Sequence, residues 1–382
     1  MIYFDYAASS PVNSEVLKTF VKLNQETFAN PSSNHDLGYQ ALALENKAKS
    51  QILKRLGLDE SQYELIFTSG ASESNNFLIE GIAKRNIKYG QRIITTKVEH
   101  PSVLEVFKRL ETEGFDVIYL NVDKNGNLDL AQLRQVLNDK TTLVSIMGTN
   151  NEVGFNFPLE EISKLIKNKS HAYFISDLTQ SFGKINVNFN ALDGLCFSGH
   201  KIEGLKSSGL AIFKKSLKID PLIVGGTQQD SYRAGTINAP LNCSLATAIR
   251  VYLSSFDKRL ENVKKLYNYI YSALLTKKDD IQVISNLTNT SYYILSFCLK
   301  RHKASVLVEA LSKKGVYVST KSACSEKHLS YSEVIYEMGY SKELASNSIR
   351  LSFSGFEDVK VGEEFIKILF ELLEQIERKD YE

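Results

Sequence analysis

The chain has 382 residues, 43% hydrophobic and 24% charged, with a net charge of +2. That is the profile of a globular protein with a sizeable core and material for two or three domains. So small a net charge gives no electrostatic case for a direct nucleic-acid partner or for a membrane surface. The start, Met1-Ile2-Tyr3-Phe4-Asp5-Tyr6, has neither a basic segment nor an apolar one of signal-peptide type, and no uninterrupted apolar run is long enough to span a bilayer. The four cysteines, Cys196, Cys243, Cys298 and Cys324, form no C-x-x-C pair. That argues against a disulfide framework or a structural metal site and for a reducing cytoplasm.

In chain order, residues 13–28 place Val16, Leu17, Phe20, Val21 and Leu23 on one helical stripe, with Asn13 or Ser14 as the cap. Leu37, Ala41, Leu44, Ala48 and Ile52 repeat that pattern. Strands are then predicted at 65–68, 92–96, 117–120, 143–147, 173–176 and 195–197, mostly separated by helical stretches. This rhythm predicts βα units and a largely parallel sheet. From about residue 240 the pattern changes to a long helical region (240–276), a strand at 292–298, helices near 303–314 and 330–337, a strand at 349–353 and a helix at 359–377. The expected fold is α/β, a mainly parallel sheet flanked by helices, with a smaller α+β domain. The expected division is 13–257 for the large domain, and 1–12 with 258–382 for the small one.

In parallel α/β sheets ligands bind beyond the carboxyl ends of the strands. Polar side chains recur there: Gly70-Ala71-Ser72 after the first strand, Glu99-His100 after the second, Asn150-Asn151, Asp177 with Gln180, and Ser198-Gly199-His200-Lys201. Each has a chemical use and a plainer alternative. Gly70-Ala71-Ser72 at a helix N-terminus suits a phosphate, or is an ordinary cap. Asp177, ending a buried strand, suits a cationic ring nitrogen, or makes a cap or a salt bridge. His100 suits a flat ring and proton movement, or is a satisfied loop histidine. Asn151 and Gln180 suit a phenolate oxygen, or satisfy a turn. Lys201 can form a Schiff base with an aldehyde cofactor, where most lysines are surface charges. Together they describe a pocket for pyridoxal 5′-phosphate.

The runs Asn30-Pro31-Ser32-Ser33, Thr68-Ser69-Gly70-Ala71-Ser72-Glu73-Ser74-Asn75-Asn76, Glu99-His100, Asn150-Asn151-Glu152-Val153-Gly154, Asp177-Leu178-Thr179-Gln180 and Ser198-Gly199-His200-Lys201 resemble the NifS/IscS-type cysteine desulfurases. These are class V aminotransferases with the fold-type-I pyridoxal phosphate architecture, and the similarity runs from Met1 to Arg350. The resemblance implies conversion of L-cysteine to L-alanine with transfer of sulfur to an enzyme cysteine. Lys201 carries the cofactor and acts as base, Asp177 holds the ring nitrogen, and His100 stacks on the ring and assists proton transfer. Ala71, Ser72, Ser198 and His200 hold the phosphate, Gln180 and Asn151 the ring oxygen, and Arg350, with Asn151, the substrate. Thr236 matches a threonine that reaches the phosphate of the neighbouring subunit, which implies a homodimer. Cys324, in Ser322-Ala323-Cys324, matches the thiol that takes the sulfur as a persulfide. The implied acceptors are an iron–sulfur scaffold or a tRNA-thiolation enzyme, and no metal is implied.

Several positions depart from the family pattern: Tyr6 for asparagine, Ser72 for threonine, Lys321 for glycine, Gln229-Asp230-Ser231 for Glu-Arg-Gly, and Ser354-Gly355-Phe356-Glu357 for an Asn-Thr pair after Arg350. The alternative readings are another class V enzyme, an aminotransferase or a selenocysteine lyase, and a non-enzymatic sulfur-relay scaffold. Cys324 discriminates, because transamination needs no thiol there.

Overall fold

The structure, a computed structural model, describes residues 1–320 and 331–376. The first part of the chain runs β1 (Ile2–Tyr3), α1 (Ser14–Glu26), α2 (Asp36–Arg55), β2 (Tyr63–Thr68), α3 (Ala71–Arg85), β3 (Arg92–Thr96), α4 (Pro101–Thr112), β4 (Asp116–Leu120), α5 (Leu130–Val136), β5 (Thr141–Ser145), α6 (Leu159–Lys169), β6 (Tyr173–Asp177), β7 (Gly194–Ser198) and β8 (Gly209–Lys214). The second runs α7 (Ala239–Ser254), α8 (Phe256–Leu275), β9 (Ile281–Val283), β10 (Ile294–Leu299), α9 (Ala304–Lys313), β11 (Val316–Tyr317), α10 (Glu333–Glu337), α11 (Lys342–Ser346), β12 (Ser348–Ser352) and α12 (Val359–Gln375).

A seven-stranded sheet has the order β2-β8-β7-β6-β5-β3-β4. All its neighbours are parallel except β8, which runs antiparallel to both β7 and β2. The largely parallel sheet expected from the βα rhythm is thus present. Its strands are buried on both faces because alternate side chains feed different cores. Leu65, Phe67, Leu195, Phe197, Leu210 and Ile212 enter one apolar cluster. Ile66, Cys196, Ala211 and Phe213 enter the cluster under α3 and α4. A third cluster unites Ile2 and Phe4 with α8, β10, α9, β12 and α12 around the antiparallel sheet β12-β10-β9.

The differences from expectation have local causes. Strand β8 carries no separate signal in the sequence, because Gly209-Leu210-Ala211-Ile212-Phe213 is a short apolar run with no period of its own. The region 240–276 is two helices broken at Ser255, whose hydroxyl accepts from Arg259 Nε (3.0 Å) instead of serving a continuous helix. The strand expected at 292–298 begins at Ile294, since Tyr292 is left-handed (φ 62°). In α1 only Val16 is buried; Leu17 and Val21 there, and Leu37 of α2, are exposed. Both α1 and α2 pack on α7, leaving their outer faces uncovered.

Candidate active site

Because β8 is antiparallel to both its neighbours, β2 runs in the same direction as β3, β5, β6 and β7. The carboxyl ends of all five open on one edge. A cavity there is lined by Ala71, Ser72, His100, Asn151, Asp177, Gln180, Ser198, His200, Lys201 and Arg350, among others. Of the site residues assigned from sequence that the structure describes, Thr236 is not on its wall. It is exposed in the segment before α7. Cys324 lies outside the described residues.

The loop from β2 into α3 is shaped by close backbone approach. Gly70 has φ 151°, and a Cβ on Gly209 of β8 would sit 2.5 Å from the Gly70 Cα. Helix α3 has no side-chain cap from Gly70, so its first turn keeps unpaired N–H groups and the positive end of the helix dipole. The Ala71 N–H donates to Ser198 Oγ (2.7 Å), joining this turn to the end of β7. The Gly70-Ala71-Ser72 turn is therefore not an ordinary side-chain cap.

Lys201 follows β7 by one tight turn. Its Nζ donates to the carbonyls of Ala7 (2.5 Å) and Ala8 (2.7 Å). Gln180 Nε2 donates to the same Ala7 oxygen (3.0 Å), and Gln180 Oε1 accepts from Lys184 Nζ (2.8 Å). Lys184 is buried. Burial first, then the charges of Lys201, Arg259 and Arg350, push its amine well below the ordinary lysine value. His200 is pushed down to about 4 by burial and then by Lys201, Lys206 and Lys184. At neutral pH it therefore brings a hydrogen-bonding ring rather than a charge.

Asp177 accepts from neutral donors, Asn75 Nδ2 at Oδ2 (2.8 Å) and the Thr179 N–H at Oδ1 (2.9 Å). His100 caps α4, its Nδ1 accepting from the Ser102 N–H (3.1 Å). Burial lowers its pKa; Asp177 opposes this and Lys201 reinforces it. Beside it, Glu99 is fully enclosed and pushed up to about 8, chiefly by burial, so it is mostly protonated at pH 7. Arg350, on β12, pairs through Nη2 with Asp5 Oδ1 (2.9 Å) and donates from Nη1 to the Asn151 carbonyl (3.0 Å). Three buried atoms of wall residues have no partner among the described residues: Asn151 Oδ1, Thr179 Oγ1 and Arg350 Nε. Buried polar groups are rarely left so, and a wall with several of them is built for a polar occupant.

Sequence reasoning missed Ala7, Ala8, Ser102 and Lys184. The two alanines act through carbonyls, which leave no trace in residue type. Ser102 meets His100 only because His100 is the extended N-cap of α4, and Lys184 meets Gln180 across the turns that follow β6. Among the described residues, no group of three or more His, Cys, Asp or Glu side chains is placed to hold a metal ion.

The sequence model for class-V aminotransferases matches residues 2–360. The cysteine desulfurase IscS of Dictyoglomus turgidum is 37% identical over 353 residues, covering 92% of this chain and 89% of that protein. A solved structure described as a NifS-like protein superposes with a TM-score of 0.91 at 32% identity, covering 98% of this chain and 100% of the other. A structure described as SspA in complex with cysteine gives a TM-score of 0.78 at 29% identity, covering 94% of this chain and 100% of the other. With agreement over nearly the full length in both sequence and fold, the chain belongs to the class-V aminotransferase family, in its NifS/IscS cysteine desulfurase branch.

Proposed function

We propose that the chain is a pyridoxal phosphate-dependent L-cysteine desulfurase that moves sulfur from L-cysteine onto Cys324 and releases L-alanine. The observation that carries the reading is the meeting of Lys201, Asp177, His100, Ser198 and Arg350 on one cavity whose wall leaves buried polar atoms unpaired. The residues present fit the cofactor. The uncapped first turn of α3, with Ser72, Ser198 and His200, would hold its phosphate. Asp177 would hold the ring nitrogen, His100 would cover the ring, and Gln180 and Asn151 would bind the ring oxygen. When bound, pyridoxal phosphate supplies an aldehyde for Lys201 and an electron-withdrawing ring beside the substrate α-carbon.

The chain's own groups do the rest. Arg350 orients the substrate carboxylate through its unpaired Nε edge, with the guanidinium already held by Asp5 and the Asn151 carbonyl. Lys201 Nζ, once freed of a proton, takes the α-proton. The Cys324 thiolate attacks the substrate sulfur, forming an S–S bond as the C–S bond breaks; cysteine plus enzyme thiol becomes alanine plus enzyme persulfide. Ser319, which leads into the segment carrying Cys324, pairs with Arg350 through the backbone in both directions (2.8 and 3.3 Å). Ser319 therefore lies beside the residue assigned to the substrate. Incubation with L-cysteine should yield alanine and a persulfide mapped by mass to Cys324; alanine without any persulfide would reject the reading. Arg350→Ala is expected to raise KM for cysteine about 10- to 100-fold, the worth of a charge-assisted contact. Cofactor absorbance should change little, and unaltered kinetics would remove Arg350 from the substrate site.

The assembly that fits this reading is a homodimer with composite sites. The surface of one chain leaves Phe28 (74% exposed) and Val224 (77%) uncovered, with Leu17, Val21, Leu37, Leu222 and Ile223. Apolar exposure on this scale suits a subunit interface. Thr236, in the same exposed segment as Val224, would reach the phosphate of the neighbouring subunit. Val224→Asp should weaken the dimer by tenfold or more in sedimentation, since a carboxylate in an apolar interface is costly; a wild-type protein that sediments as a monomer at micromolar concentration would reject the dimer. The domain division at 12–13 and 257–258 is supported by the third apolar cluster, which draws on residues 2–4 and 263–373. We assign the persulfide's acceptor to iron–sulfur assembly or tRNA thiolation, in the cytoplasm. No helix among the described residues is long and apolar enough to cross a membrane.

A further inference from the structure

From Cys196 and Asn75, behind the cavity wall, a hydrogen-bonded chain runs to Asp177, Ser102 and His100 on the wall, and the roles above use none of its links. Cys196 Sγ lies 2.9 Å from Asn75 Oδ1. Asn75 Nδ2 lies 2.8 Å from Asp177 Oδ2 and 2.9 Å from Ser102 Oγ. Ser102 Oγ lies 2.9 Å from His100 Nδ1, and the Ser102 backbone N–H points at the same nitrogen.

The chemistry of the ends fixes every proton between them. Both Asp177 oxygens accept, Oδ1 from the Thr179 N–H and Oδ2 from Asn75, so the nitrogen of the Asn75 amide faces Asp177 and its oxygen faces Cys196. The Cys196 thiol is enclosed, and burial, then the nearby Asp177 and Glu99, raise its pKa far above the usual range. It keeps its proton and donates to that oxygen. Asn75 has two amide hydrogens; one goes to Asp177 and the other to Ser102 Oγ. Ser102 has accepted there, so its single hydroxyl hydrogen is free for His100 Nδ1. The backbone N–H makes the same demand on that nitrogen independently, because two N–H groups cannot face each other. Nδ1 therefore holds a lone pair, and the one hydrogen of the neutral ring sits on Nε2.

We propose that Ser102 is a positioning residue that, through Asn75, ties the tautomer of His100 to the Asp177 carboxylate, so that His100 faces the cavity as a neutral N–H donor at Nε2. This rests on His100 belonging to the cofactor and substrate site, as in the function proposed above. In that state the ring stabilises negative charge by donation and does not accept a proton at Nε2, since acceptance there would require Nδ1 to give up both its donors. The substrate-side base is then Lys201 alone. Ser102 thus acts through the His100 ring and not by contact of its own with the reacting atoms.

The test is 15N NMR of the purified, cofactor-bound protein with labelled histidine, the His100 signals being identified by their loss in His100→Gln. The expected result at neutral pH is a protonated Nε2 and an unprotonated, hydrogen-bonded Nδ1. Ser102→Ala should move the Nδ1 resonance toward that of a free acceptor nitrogen, and Ser102→Thr, which keeps the hydroxyl, should restore it. A proton on Nδ1 in the wild type would overturn the proposal, and so would an unmoved Nδ1 resonance in folded Ser102→Ala. If Ser102→Ala does not fold, Asn75→Leu serves instead, since it removes the amide that joins Ser102 to Asp177 while keeping the side chain's volume; an unmoved signal there overturns the coupling to Asp177. The spectrum is read without turnover. Failure of the tautomer thus leaves the cysteine assay standing, and failure of that assay leaves the tautomer standing.

Discussion

Lys201→Ala is expected to lower kcat/KM for cysteine by about 10³-fold or more, since a positioned base alone contributes about 10²- to 10⁴-fold and the covalent link is lost with it. The borohydride-reducible attachment of the cofactor should disappear. The fold should survive, because the hydrogen bonds to the Ala7 and Ala8 carbonyls that the change removes are worth about 1–3 kcal/mol together. The natural substitute would be Lys184, whose amine sheds its proton more readily than an ordinary lysine. It is buried, its Nζ is engaged by Gln180 Oε1, and it does not line the cavity. Reduction followed by peptide mapping should therefore find no adduct at Lys184. A covalent adduct there, or at any other lysine, would refute the assignment of Lys201.

Cys324→Ser should abolish persulfide formation and cut alanine release by about 10³-fold, because a serine hydroxyl is neither ionised at neutral pH nor nucleophilic toward sulfur. The other cysteines cannot stand in. Cys196 and Cys298 are buried with pKa values driven upward, and Cys243 is raised to about 12, first by burial and then by Glu45. At pH 7 none is a useful thiolate. The variant should retain the cofactor spectrum of the wild type. Sulfide release at the wild-type rate would reject Cys324 as the nucleophile.

Much of the fold was legible because the buried parallel strands announce themselves as β-rich apolar runs between helical stretches. The edge where their polar neighbours gather follows from the direction of those strands. Strand β8 was not legible: a short apolar run after a glycine has no period, and only pairing with β2 and β7 makes it a strand. The stripe on α1 is apolar, yet of its residues only Val16 is buried, because periodicity reports an apolar face and not what covers it. Within the site, Asp177, Ser198 and Lys201 could be placed from sequence because a side chain follows each strand end. The partners of Lys201 could not, since Ala7 and Ala8 contribute backbone oxygens. Gln229 shows the same limit. It departs from the family pattern, yet its amide both accepts from the Phe67 N–H (2.6 Å) and donates to the Phe67 carbonyl (2.9 Å), extending the edge of β2 with a side chain.

The opening octapeptide is as much a component of the cavity as any strand end. Tyr3 pairs with Tyr317, Asp5 holds Arg350, and Ala7 and Ala8 anchor Lys201, while Met1 hangs free in water. A fusion tag attached ahead of Met1 therefore has room. A protease nick or a trimmed expression boundary a few residues further in would strip the counter-ion and the lysine's moorings in a single cut, crippling the enzyme from a place that looks like a dispensable tail.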